Sequence, residues 1–327
     1  MGENMRVRFK SLLNSILQIL RNSCARLQSH RDIKIINNFL DDEGITLLDI
    51  GAAGGIEPRW EKISQQISYI GFEPDDRLQV TEPTSKFRKY RLIPCAVGRI
   101  ESEVKFYITA GPGKSSIYLP NTQFIQRFPN PERFNVISEN ILKVLPIDKL
   151  VSEKVNFIKL DIQGGELDAL SGATNILESV LGLELEVEFS KIYLNQPIFG
   201  EINSFLVEKG FEFIDFINLC RWEQFTYNSV GQLVFGDALF LKSPEHVVNS
   251  MNKNDIKKYL AILYIYNRFD LIEKVFSIYS NEEDDFKQFY KQQKNKRKYF
   301  SLIVKINRLL SSFYSLFGIE YRSHVIY

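Results

Sequence analysis

Seven short apolar runs, Thr46–Ile50, Ser68–Phe72, Arg91–Val97, Asn156–Asp161, Val180–Phe189, Phe211–Phe216 and Leu233–Leu241, alternate with helix-like segments along the middle of this chain. That rhythm is the signature of a parallel sheet with crossover helices. It predicts an α/β fold whose seven strands fill a doubly wound sheet. Between the third and fourth runs lies an insertion. Val104–Ile108 alternates like a strand, Gly111-Pro112-Gly113 marks a turn, and residues 121–135, rich in Phe, Pro and Arg, read as a loop near a binding surface.

The flanks differ from this centre. Residues 5–28 place Leu12, Leu13, Ile16, Leu17, Ile19 and Leu20 at helical spacing between basic residues. After Pro244 the pattern is wholly helical: Lys257–Ser280 is apolar and aromatic, 281–298 is highly charged, and Phe300–Phe317 is amphipathic. The predicted organisation is therefore an N-terminal helical segment (1–40), an α/β domain (41–243) and a C-terminal helical extension (244–327). Residues 1–31 carry six Lys/Arg against one Glu and residues 287–327 nine against one, which leaves 32–286 at −12 within an overall +1.

These basic ends admit two readings. They pack on the core or on a partner subunit, or they lie on an anionic membrane surface, as Lys294–Lys298 followed by Tyr299–Phe317 would suit. The first is favoured, because amphipathic helices are common in globular proteins. Nucleic acid ranks last among partners, since an acidic centre repels phosphates; a homo-oligomer stays open. No run reaches the length needed to span a bilayer, and the N-terminus lacks the pattern of a secretory signal. Three scattered cysteines, Cys24, Cys95 and Cys220, form no CxxC pair and argue for a reducing, cytoplasmic setting.

The first run ends in Asp49-Ile50-Gly51-Ala52-Ala53-Gly54-Gly55. A glycine turn after a first strand lets a ligand approach the backbone closely. Asp49 at the strand tip would repel a dinucleotide pyrophosphate. It suits S-adenosylmethionine, which has no phosphate and carries a sulfonium and an ammonium. Glu73 ends the second run 24 residues beyond Asp49, where an acidic side chain grips a ribose diol. The plainer alternative makes Asp49 a helix cap and Glu73 merely exposed.

The fourth run delivers Lys159, Asp161 and Gln163-Gly164-Gly165-Glu166 at its carboxyl end, opening a helix over Glu166–Leu177. Lys159 and Asp161 point to one side of the strand and are candidate catalytic groups; Asp161 can bind the amino-acid end of the cofactor or accept a substrate proton. An ion pair between them that only orders the loop is the alternative. In the fifth run Glu184, Glu186 and Glu188 share one face, costly if buried without partners. That face either meets solvent or converges on cationic groups; Glu188 can sit at the crevice rim as a general base, and a solvated face is favoured for Glu184. Ser115, Ser116 and Tyr118 in the insertion can hydrogen-bond a sugar, or can simply close the sheet edge. His30, His246 and His324 lie outside these motifs, and no cluster has metal-ligand spacing.

Taken in order, LLDIGAAGG (47–55), YIGFEP (69–74), PCAVG (94–98), SSIYLP (115–120), LPIDKL (145–150), IKLDIQGGELDALSGA (158–173), ELEVEF (184–189) with Tyr193, and DALFLK (237–242) resemble the FkbM methyltransferase family. The resemblance implies a Rossmann-like class I fold with its last strand antiparallel, and S-adenosylmethionine as cofactor. It implies a cofactor site of Asp49, Gly51, Ala53, Gly54, Glu73, Pro74, Ala96, Val97 and Asp161, and acceptor contacts from Ser115, Ser116, Tyr118 and Tyr193. The activity implied is O-methylation of a hydroxyl on a sugar, polysaccharide or related natural product. Ala53 and Gln163 depart from the common family form, in which asparagine and glutamate are frequent. Two other functions stay in play: a non-catalytic scaffold with a degenerate pocket in a glycan-assembly complex, and a nucleotide-sugar or dinucleotide enzyme on the same fold.

Overall fold

Strand pairing places the glycine loop and the acidic tips at the carboxyl ends of neighbouring strands in a large sheet. The structure, a computed structural model, describes residues 36–40, 44–75, 77–79, 82–225, 230–279 and 283–294, with residues 34, 298, 301 and 305. Among these residues ten strands form two sheets: β1 (Ile45–Ile50), β2 (Ile67–Phe72), β3 (Lys89–Ile93), β4 (Ala96–Val97), β5 (Ser102–Thr109), β6 (Val136–Leu145), β7 (Phe157–Leu160), β8 (Gly182–Glu188), β9 (Phe211–Trp222) and β10 (Gln232–Lys242). The seven-stranded sheet has the order β3-β2-β1-β7-β8-β10-β9. Its strands are parallel except β10, which runs antiparallel to both neighbours. The order reverses between β1 and β7, so a crevice opens at their carboxyl ends.

Both faces of this sheet are covered, which is why its central strands read as continuous apolar runs. One face is Leu48, Ile50, Ile70, Phe72, Ile158, Leu160, Leu183, Leu185 and Val187, closed by Ile202 and Leu206 of the helix Phe199–Glu208. The other carries Leu47, Tyr69 and Phe157 under Trp60 and the helices Lys253–Ile265 and Phe269–Ile278. Residues 284–294 add a further helix, whose Phe289 stacks on Phe39 at 4.2 Å. The C-terminal extension packs on the sheet as far as residue 293, short of the basic end to which the packing and membrane readings apply. The segment 5–28 and nearly all of 295–317 lie outside the described residues.

Several elements differ from the sequence reading. Arg91–Val97 is two strands, split at Pro94-Cys95: β3 joins the large sheet, and β4 pairs with β6 in a small sheet ordered β4-β6-β5. The ten-residue β6 was not expected, because six successive side chains, Val136–Ile141, are exposed and no face alternates; pairing with β5 makes it a strand. Residues 121–135 hold two short helical turns, Thr122–Ile125 and Pro131–Phe134. The helix from Glu166 ends at Ser171, since Gly172 passes so close to Gly98 that a Cβ would lie 2.1 Å from its carbonyl oxygen. Lys257–Ser280 spans two helices, parted where Asn267 turns left-handed at φ 57°.

Candidate active site

The crevice is built from the tips of β1, β2 and β7. Gly51 at φ +82° brings its Cα against the Asp161 carbonyl, where a Cβ would sit 1.9 Å away. Asp161 N in turn donates to Ile50 O at 2.9 Å, which ties the β1 and β7 tips together. Gly54, also left-handed at φ +81°, has nothing within 4 Å of where a Cβ would project. The loop therefore offers bare backbone to the crevice, as close ligand approach requires.

Glu73 closes β2 with 5% exposure; its Oε1 accepts the Asp75 amide at 2.8 Å and its carbonyl accepts Gln79 Nε2 at 3.0 Å. Burial pushes its carboxyl up to about 7, against the pull of that amide bond. Pro74 follows, half-buried. Ala53 forms a bridge to Gln79 at the loop's exposed side. Ala96 and Val97 lie buried in β4, where Val97 joins the apolar core.

Asp49 is 1% exposed and internally partnered. Tyr69 Oη donates to its Oδ2 at 2.8 Å, and Lys159 Nζ stands 3.6 Å from its Oδ1. Burial raises the Asp49 carboxyl, and the Lys159 charge opposes it. Desolvation pulls Lys159 down, but Asp49 and Asp161 outweigh it and hold the ammonium above its ordinary value. The ion pair that Lys159 makes is thus with Asp49 rather than Asp161. Asp161 is half-buried at the β7 tip, and Gln163 Nε2 donates to its Oδ1 at 3.0 Å.

Two expectations for β8 are corrected. Glu184 is 3% exposed rather than solvated: Tyr266 Oη donates to its Oε2 at 2.5 Å and Arg59 lies 3.6 Å from its Oε1. The C-terminal helices cover this face, which no pattern within β8 could announce. Glu188 is 0% exposed and so is not at the rim. The chain folds back over it after Phe189, which bonds Val234 O, and both carboxylate oxygens lack a hydrogen-bond partner. Burial first, and the Glu166 charge next, hold Glu188 well above the carboxylate range; the nearby Gln196 amide eases this without reaching hydrogen-bonding geometry.

The hydroxyls of the insertion are spent within the protein. Ser116 Oγ donates to Gln163 O at 2.7 Å, Tyr118 Oη to Asp168 at 2.7 Å, and the buried Tyr193 Oη approaches Gln163 Oε1 and Lys114 O, each at 2.9 Å. Ser115 accepts the Thr109 amide at 3.2 Å and stays half-buried. The ring of Ser116, Tyr118 and Tyr193 braces the loop after β7. Its hub is Gln163, which the sequence marked only as a departure from the common family form and gave no role. Held left-handed at φ 58°, it bridges Asp161 and Glu186 through one amide nitrogen, at 3.0 and 2.8 Å. A non-glycine residue in that conformation is strained and persists only when its surroundings over-determine it.

Asp237 also went unread. The antiparallel β10 sets it opposite Glu186, and burial together with the Asp161 charge pushes its carboxyl up to about 6. The DALFLK motif held the signal, but only the insertion of β10 between β8 and β9 brings it to the crevice. Among the described residues no group of three or more His, Cys, Asp or Glu is placed to hold a metal ion, and no helix is long and apolar enough to cross a membrane.

An open sheet with β10 reversed, a glycine loop at the switch point and carboxylates at the neighbouring tips is the architecture of class I methyltransferases. The family model of the FkbM methyltransferase domain matches residues 49–213, about half of the chain, and the chain belongs to that family. Among solved structures it is similar to an FkbM methyltransferase from Methylobacillus flagellatus KT, at 15% identity over 61% of this chain and 44% of that one, with a TM-score of 0.34. The chain thus spans under half the length of that relative. A SAM-dependent methyltransferase from Agrobacterium tumefaciens matches at 11% identity, covering 65% of this chain and 60% of that one with a TM-score of 0.30. The 23S rRNA methyltransferase ErmE matches at 10% identity, covering 72% and 75% with a TM-score of 0.29. No curated protein matches.

Proposed function

We propose that this chain methylates a hydroxyl of a sugar, polysaccharide or related natural product, with S-adenosylmethionine as donor. The observation that carries the reading is the excess of carboxylates around the bare backbone of Gly51–Gly55: Asp49, Glu73, Asp161, Glu186 and Asp237 surround one crevice, with Lys159 as the cation paired among them. Such a site disfavours a pyrophosphate and favours a ligand with cationic centres. The open space over Gly54 fits the same ligand.

S-adenosylmethionine supplies, when bound, a sulfonium methyl that is already a strong electrophile. The protein's share is alignment and exclusion of water. Glu73 takes the ribose hydroxyls, the Gly51–Gly55 backbone receives the methionyl portion, and Asp161 faces its ammonium or the acceptor. Asp49 acts from beneath the loop, through Lys159 and the β1 tip. With Glu188 enclosed, Asp161 is the carboxylate left to take the acceptor proton. Ser115, half-buried in the insertion, is the hydroxyl best placed for acceptor contact, while Ser116, Tyr118 and Tyr193 act by bracing the Gln163 loop. The protein works in the cytoplasm on this reading, with its basic ends against a membrane surface or a partner protein.

Isothermal titration with S-adenosylmethionine tests the donor, and transfer of a labelled methyl group to candidate glycans tests the acceptor. Absence of donor binding would leave a scaffold with a degenerate pocket as the better account.

A further inference from the structure

One side chain from the C-terminal helices, Tyr266, reaches the buried polar groups that lie beneath the crevice. Tyr266 follows the helix Lys253–Ile265 and is 2% exposed. Its ring stacks on Phe157 at 5.3 Å and meets Trp60 edge-on at 6.0 Å, so its direction is fixed. Its hydroxyl donates to Glu184 Oε2 at 2.5 Å, while Arg59 approaches Glu184 Oε1 at 3.6 Å and lies 4.7 Å from the Tyr266 ring centroid. Arg59 also pairs with Glu57 at 3.4 Å, and both belong to the segment that leaves the glycine loop. In the β7–β8 register Glu184 stands beside Lys159, and in the β1–β7 register Lys159 stands beside Asp49, which takes the Tyr69 hydroxyl. A continuous line of buried polar groups therefore crosses β2, β1, β7 and β8 beneath the donor loop and ends on the C-terminal helices.

Resting on the donor reading above, we infer that Tyr266 is a positioning residue for the donor site, holding Glu184 and through it Lys159, Asp49 and Arg59. The C-terminal helices then complete a site whose other parts, Asp237 of β10 apart, lie within residues 49–213. The physical ground is the cost of a buried carboxylate without partners. Burial drives Glu184 toward its neutral form, and the Arg59 charge and the Tyr266 hydroxyl oppose that. The charged or titratable groups facing it are Arg59, Glu57, Tyr266, Asp237 and, across the register, Lys159. Without the hydroxyl, Glu184 takes a proton more readily, and Lys159 and Arg59 each lose a counter-charge. If Tyr266 served packing alone, a phenyl ring would serve equally.

The test is titration of the full chain with S-adenosylmethionine for wild type, Tyr266→Phe, Glu184→Gln and the double variant, between about pH 6.5 and about pH 8.5, with Tm alongside. The expected result is a Kd raised about fivefold in Tyr266→Phe, more so at the acid end, and no further loss when the change is made on Glu184→Gln. Glu184→Gln, which keeps the shape of the site, reproduces the loss by itself even if Tyr266→Phe folds poorly. An unchanged Kd in either single variant overturns the inference, and so does a Tyr266→Phe loss that persists in full on the Glu184→Gln background. Failure of the wild type to bind the donor overturns the reading of the site itself, and is visible without any variant.

Discussion

The two faces of the large sheet are built from the same strands by opposite means. On one, Leu48, Ile50, Ile158, Leu160, Leu183 and Leu185 meet only apolar neighbours. On the other, at alternate positions of those strands, Asp49, Lys159 and Glu184 are interleaved among Leu47, Tyr69 and Phe157. A uniformly apolar layer would hold the sheet at lower electrostatic cost, since buried ion pairs seldom repay their desolvation in full. The polar face is therefore better understood as serving the crevice above it, and the apolar face as holding the fold.

Substitutions sharpen this division. Lys159→Met should have the largest effect, because it leaves Asp49 enclosed without its cation; a loss on the order of 3 kcal/mol is expected in urea unfolding, together with loss of donor binding by calorimetry. Leu185→Ala on the opposite face should cost about 2–4 kcal/mol in the same unfolding measurement. Where that variant is folded, its donor Kd should match wild type. If the apolar variant shifts Kd as far as the polar one, the two faces do not divide the work. Glu73→Gln is expected to raise the donor Kd about tenfold, or about 1.4 kcal/mol, with little change in Tm at about pH 4, where the carboxyl is already neutral.

The smallest effect is on pH dependence. Glu73 is raised from 4.5 to about 7 and Asp237 from 3.8 to about 6 by burial. Groups raised on folding contribute stability that is full below their unfolded values and lost as pH rises through the folded ones. The ligand-free protein should therefore lose Tm between about pH 4 and about pH 7, and Glu73→Gln should flatten that slope. A Tm that climbs across this window would contradict the burial of these carboxyls.

Much of the crevice could be read from local sequence. The Asp49–Gly55 turn and Glu73 declare themselves because strand, glycine and acid fall at short, local spacings, and the fold places them where those spacings require. Glu184 could not be read so. Its environment is decided by Tyr266, 82 residues away, and a strand of alternating carboxylates looks the same whether helices cover it or water does. Gln163 was noticed only as a departure from the common family form, for a related reason: its importance lies in a left-handed backbone and three long-range partners, none visible in a glutamine followed by two glycines. β6 went unseen because it buries almost nothing and owes its form to pairing with β5 and β4.

The strand order also sets where this protein can be cut. The family segment, 49–213, begins inside β1 and stops inside β9, and β10, which separates β8 from β9, lies wholly outside it. An excised piece with those borders would strip the flank of β8 bare and leave the stub of β9 with nothing to pair against. A minimal expressible fragment has to run from before Ile45 to beyond Ile278, so that the sheet closes and its helical cover comes with it.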